Sequence, residues 1–153
     1  MSKIFVIILT SVSVMVPVLA RQSAQDEPVD GPKTRFSPLH IDIDSGHRSL
    51  AAYQFELKAA TGRFKIVGVE GGRHKAFEEA PYYDPAALAK DRIIIAAFNT
   101  GRDLPKERTR IATVHLQIIG EVEPEYELKL IVAADKEGKE IPAKISYEKG
   151  ESK

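Results

Sequence analysis

Leu50-Ala51-Ala52-Tyr53-Gln54-Phe55-Glu56-Leu57-Lys58 is the stretch that decides the fold class. Tyr53, Phe55 and Leu57 alternate with Gln54, Glu56 and Lys58. An extended chain sends the first set to one side and the polar set to the other, whereas a helix would scatter both around its axis. The same period of two recurs outward in both directions. Upstream, Leu39, Ile41 and Ile43 alternate with His40, Asp42 and Asp44, and Ser45-Gly46 closes the run. Downstream, Phe64 to Glu70 forms a third run, ended by Gly71-Gly72, where a positive φ would be cheap. Arg92 to Phe98 is apolar almost throughout, as a strand covered on both faces would be. In Arg110 to Ile119, Val114, Leu116 and Ile118 oppose Thr113, His115 and Gln117. Glu125 to Ala134 is expected to turn Tyr126, Leu128, Leu130 and Val132 inward, and Lys139 to Glu148 to supply one or two last strands around Pro142. Short alternating runs divided by turn residues indicate an all-β sandwich of about seven to nine strands. Only Arg73 to Asp91 breaks the rhythm. Asp84-Pro85-Ala86-Ala87 there offers an N-cap residue, a proline at the first helical position and good helix formers, so a short helical turn is expected.

The chain has 153 residues, 22 Lys+Arg against 22 Asp+Glu, no Cys and no Trp. That length suits one domain. Balanced charge removes the long-range attraction that nucleic acids and anionic lipid surfaces require. The absence of cysteine excludes disulfides, thiolate catalysis and Cys-containing zinc sites. Ile4 to Leu19 are apolar or small, follow Lys3 and end in Val18-Leu19-Ala20, the pattern of a secretory signal peptide. Those 16 residues fall short of the roughly 20 that span a bilayer. The expected organisation is a signal peptide at 1–20, a flexible leader at 21–35 with little to bury, a sandwich at 36–148 and a fraying tail at 149–153. The product is expected to be exported, periplasmic or secreted, with no membrane attachment once the signal peptide is cut.

Candidate chemistry is sparse. His40, Asp42 and Asp44 share one strand face and carry metal-ligand atoms, but they come from a single element and read as a solvated face, so no metal is expected. Asp42-Ile43-Asp44-Ser45-Gly46 opens like a calcium loop, yet His47 stands where that loop needs Gly and Tyr53 where it needs Glu. Glu78 and Glu79 are adjacent and cannot face each other across a glycosidic bond. Tyr82 and Tyr83 beside them are candidate carbohydrate contacts, or pack the long connection onto the sandwich. Arg102, Lys106, Arg108 and Arg110 are interleaved with Asp103 and Glu107, the pattern of a solvated loop. No hydroxyl and imidazole are spaced as nucleophile and base, so the chain is expected to be non-catalytic and free of cofactors. Gln54, Glu56, Thr113, His115 and Gln117 lie on the polar sides of two strands. If those strands share a sheet, the five form one mildly polar face suited to reversible protein binding.

Four runs taken together carry a family resemblance: Leu50 to Lys58, Phe64 to Glu70, Asp91 to Phe98 and Arg110 to Leu116. From about Leu39 to Tyr147 this order of hydrophobic and small residues resembles cohesin domains. The resemblance implies a secreted jelly-roll β-sandwich, related in fold to carbohydrate-binding modules. It further implies an extracytoplasmic protein as partner, of the dockerin type that carries calcium loops, and through it a link to polysaccharide breakdown. Dockerin-binding cohesins tend to offer Asn and Asp at the outward positions of the strand matched by Leu50 to Lys58. Here those positions are Ala52 and Gln54. A carbohydrate-binding module acting on an extracellular polysaccharide and a structural domain of an envelope assembly are the alternative expectations.

Overall fold

The computed structural model describes residues 31–151. The expected signal peptide, most of the expected leader and the last two residues lie outside the described residues. Among them the chain forms eight strands: β1 (Thr34–Asp44), β2 (Ala52–Thr61), β3 (Phe64–Gly71), β4 (Tyr82–Tyr83), β5 (Arg92–Phe98), β6 (Arg108–Ile119), β7 (Glu125–Ala134) and β8 (Lys144–Lys149). They pair into two four-stranded antiparallel sheets, ordered β3-β6-β1-β8 and β4-β5-β2-β7. The fold is the all-β sandwich that the period of two implies.

Inward side chains from both sheets make one core. Leu39, Ile41 and Ile43 of β1, Tyr53, Phe55 and Leu57 of β2, Ile93 and Ile95 of β5, and Val114, Leu116 and Ile118 of β6 are all buried. The alternate residues of the same strands face out; they are mostly polar on β1, β2 and β6, whereas β5 presents Ile94, Ala96 and Phe98. The expected helical turn is present as a 3-10 turn over Pro85–Ala87, where the Asp84 carboxylate accepts the Ala86 N–H at 2.9 Å. A second such turn, Lys75–Phe77, has no strong signal in the sequence; His74 caps it by accepting the Ala76 N–H on Nδ1.

Three expectations are corrected. Gly71 and Gly72 do not adopt positive φ; the glycines that do are Gly46, Gly62, Gly120 and Gly138. β5 is not covered on both faces, because among the described residues nothing covers the outside of its sheet: Ile93 and Ile95 are buried, while Ile94 and Phe98 are 39% and 66% exposed. Val132 faces out rather than in. The pairing of β7 with β2 slips between Gln54 and Phe55, which oppose Val132 and Leu130, so Ile131 is an extra residue. A bulge of this kind reverses the alternation, burying Ala133 and leaving Ile131 and Val132 exposed side by side.

A second bulge ties the two sheets together. β1 opposes Ala112 and Arg110 with Ile41 and Asp42, so Ile111 has no pairing partner in β1. Its carbonyl oxygen accepts the hydroxyl of Tyr53, reaching across from the other sheet, at 2.9 Å. Phe77 packs edge-on against the Tyr53 ring. Burial pushes the Tyr53 phenol well above its ordinary range, so it remains a donor. Tyr53→Phe leaves the Ile111 carbonyl without this partner and is expected to cost about 1–3 kcal/mol in urea unfolding. An unfolded tyrosine ionises near pH 10 and the folded one only above that. The wild type should therefore lose stability as pH rises past about 10, and the variant should lose less of it.

Candidate functional site

The five residues expected to form one polar face are divided between two. Gln54 and Glu56 lie on β2 in one sheet, and Thr113, His115 and Gln117 on β6 in the other, so they occupy opposite outer surfaces of the sandwich. The condition that the two strands share a sheet is not met, because strand partners are chosen by long-range pairing rather than by local alternation. Each half therefore belongs to a different surface.

The outer face of the β4-β5-β2-β7 sheet is apolar at one end and charged at the other. One row crosses all four strands as Tyr82, Ala96, Gln54 and Val132. The adjacent row holds Phe98 beside Ala52. Tyr82 and Phe98 are 69% and 66% exposed, and their rings lie 6.2 Å apart with planes only 12° from parallel. Small Ala96 and Ala52 with the Gln54 amide make a low floor. The aromatic pair stands on one side, and Ile131 and Val132, lifted outward by the bulge, on the other. At a strand spacing of about 4.8 Å, Tyr82 on β4 stands about 14 Å from β7 and Phe98 on β5 about 10 Å from it. Ile94 continues the apolar surface downward. Below it, Arg92 pairs with Glu56, and Lys58 with Glu127 at 3.1 Å. Tyr83, by contrast, turns to the core edge and is half-buried, so the two tyrosines do not act as a pair.

The opposite outer face, on β3-β6-β1-β8, is polar and ionic. His40 Nδ1 lies 3.2 Å from the Thr113 hydroxyl, and His115 Nε2 lies 3.1 Å from Glu70. Asp42 is 6% exposed and lies 3.1 Å from Arg108 Nη2 and 3.9 Å from Arg110 Nε. Glu148 joins the same two arginines at 2.6 and 3.5 Å. Asp44 instead accepts the Gly46 N–H at 2.9 Å. His40, Asp42 and Asp44 are thus each engaged by protein groups. Arg108 and Arg110, expected in a loop, belong to β6.

Burial lowers the His40 pKa below its ordinary value, with Arg110 and Arg73 adding to the effect against Asp42 and Glu148. The neutral ring is therefore the folded form just below pH 6.5, while the unfolded chain takes up a proton. His40's contribution to stability is complete above pH 6.5 and declines as pH falls through the folded pKa. An NMR titration should find His40 titrating below 6.5, and Arg73→Gln should move it upward.

The face expected from sequence missed Tyr82, Phe98, Ile94, Ile131 and Val132 as one surface. Only the exposure of an apolar β5 could have announced it, and an apolar run does not report exposure. No family model matches the chain, and no curated protein or solved structure is significantly similar to it.

Proposed function

We propose that the chain is a non-catalytic, exported binding module that engages an extracytoplasmic protein through the outer face of the β4-β5-β2-β7 sheet. The observation that carries this reading is the contiguous exposure of Tyr82, Phe98, Ile94, Ile131 and Val132 on one sheet face. Scattered exposed apolar residues are ordinary, but a contiguous group rimmed by ion pairs is what a reversible interface presents. The cohesin resemblance supports the same surface, since Ala52 and Gln54, the positions it points to, form the floor between the two apolar walls. A dockerin-like partner with calcium loops is the form of ligand that the resemblance favours. The test is capture on the immobilised, purified protein from envelope and culture fluid, with calcium and with EDTA. A single protein with paired calcium loops, retained only with calcium, supports the reading.

The carbohydrate reading keeps one specific observation in its favour. Tyr82 and Phe98 form a nearly flat exposed platform beside the Gln54 amide, a surface that can stack sugar rings. Retention on a glycan panel, lost in Tyr82→Ala, would favour it over a protein partner.

A further inference from the structure

The ionic face carries a cleft that the binding-face reading does not use. An opening of about 430 Å³ is lined by Asp42, Arg73, His74, Arg108, Thr109, Arg110 and Glu148. Three guanidinium groups meet two carboxylates there. Arg108 bonds both Asp42 and Glu148. Arg110 lies 3.9 and 3.5 Å from the same carboxylates, both beyond hydrogen-bond geometry, and its buried Nε has no acceptor. Its side chain is only 12% exposed, so water does little to compensate. Arg73 is exposed and has no carboxylate in ion-pair range among the described residues. Three arginines against two carboxylates leave the lining an excess of one positive charge before His74 is counted.

The donors are held in place by backbone. The Arg73 N–H bonds the Arg110 carbonyl at 3.1 Å, which fixes the β3 exit against β6. His74 accepts the Ala76 N–H on Nδ1, so its neutral ring carries the proton on Nε2, 3.9 Å from Asp103 and too far to bond it. Arg73, Arg110 and His74 therefore offer donors from two separate segments of chain, while the Thr109 hydroxyl already donates to the Lys106 carbonyl. A planar carboxylate has two oxygens for them, whereas a tetrahedral oxyanion has three or four.

We propose that this cleft is a binding site for a tetrahedral oxyanion, a phosphate or sulfate group, held chiefly by Arg73 and Arg110. The site lies on the sheet opposite the apolar face and is independent of the function proposed for it. The anion meets the part of the Arg110 side chain that lines the cleft, while the Nε itself is sealed from solvent, and it neutralises the unpaired Arg73 charge. The group arrives either as the free ion or as the terminal group of a phosphate or sulfate ester.

The experiment is an NMR titration of the purified protein, following the arginine Nε–Hε resonances, with inorganic phosphate and with inorganic sulfate. Chloride at matched ionic strength is the control. A saturable shift at Arg73 and Arg110, absent with chloride, is the expected result. Arg73→Gln removes an exposed side chain with no ion-pair partner among the described residues, so it should fold normally and raise the apparent dissociation constant about tenfold or more. Equal shifts with chloride, a response that never saturates, or unchanged binding by Arg73→Gln would each overturn the proposal. Methyl phosphate separates the two sources: binding at least as tight as inorganic phosphate indicates an ester, and weaker binding indicates the free ion.

Discussion

Gly72→Ala is expected to be among the most damaging single substitutions in this protein, costing about 3 kcal/mol or more in urea unfolding. A Cβ at Gly72 would enter the space of the Arg110 carbonyl oxygen and come within 2.8 Å of both the Arg110 carbonyl carbon and the Ile111 Cα. All are backbone atoms of β6 and cannot rotate aside. Gly71 is similarly confined, with the Glu79 carbonyl oxygen 2.5 Å from its would-be Cβ. The contrast is Gly138, at φ +77° with nothing nearby, where alanine should cost only about 1 kcal/mol for the left-handed backbone. Because the same close approach holds Arg73 against Arg110, any Gly72→Ala protein that still folds should also lose the oxyanion response. A loss of stability below about 0.5 kcal/mol would mean that the β3 exit is free to move away from β6.

The second large effect is on binding rather than stability. Tyr82→Ala combined with Phe98→Ala is expected to weaken the partner complex by about 30- to 700-fold, the range of a central aromatic cluster worth about 2–4 kcal/mol. The melting temperature should hardly change, since both rings are about two-thirds exposed. Their removal leaves no cavity, and the two rows they stand on keep their backbone pairing through Ala96 and Ala52. Isothermal titration with the purified partner measures the affinity, and a thermal melt of the variant supplies the folding control. Gln117→Arg, on the opposite outer face and partly exposed, should leave the affinity unchanged.

What the sequence made legible is what local chemistry determines. Alternation in Leu39 to Asp44 and Leu50 to Lys58 places the core side of two strands, and Asp84-Pro85 places a helical turn. What it hid depends on distant partners. Gln54 and Thr113 follow the same period of two, and only long-range pairing assigns them to different sheets. Val132 continues the inward set of β7 on paper, until one extra residue at Ile131 reverses the phase. The apolar run of β5 reads as fully buried because hydrophobicity does not distinguish a core residue from an exposed contact such as Phe98. Gly71-Gly72 was visible as a signal, but its physical cause is close packing against Glu79 and Arg110 rather than left-handed backbone. The arginine cleft had no readable signature, because Arg73 and Arg110 are 37 positions apart and meet only through that packing.

The most direct measurement is a three-way capture, with calcium, on immobilised wild type, Tyr82→Ala/Phe98→Ala and Gln117→Arg, each first shown to melt like wild type. The expected result is one extracytoplasmic protein retained by wild type and by Gln117→Arg, and lost from the double variant. Retention by the double variant, or loss from Gln117→Arg instead, would contradict the assignment of the β4-β5-β2-β7 face as the surface that binds.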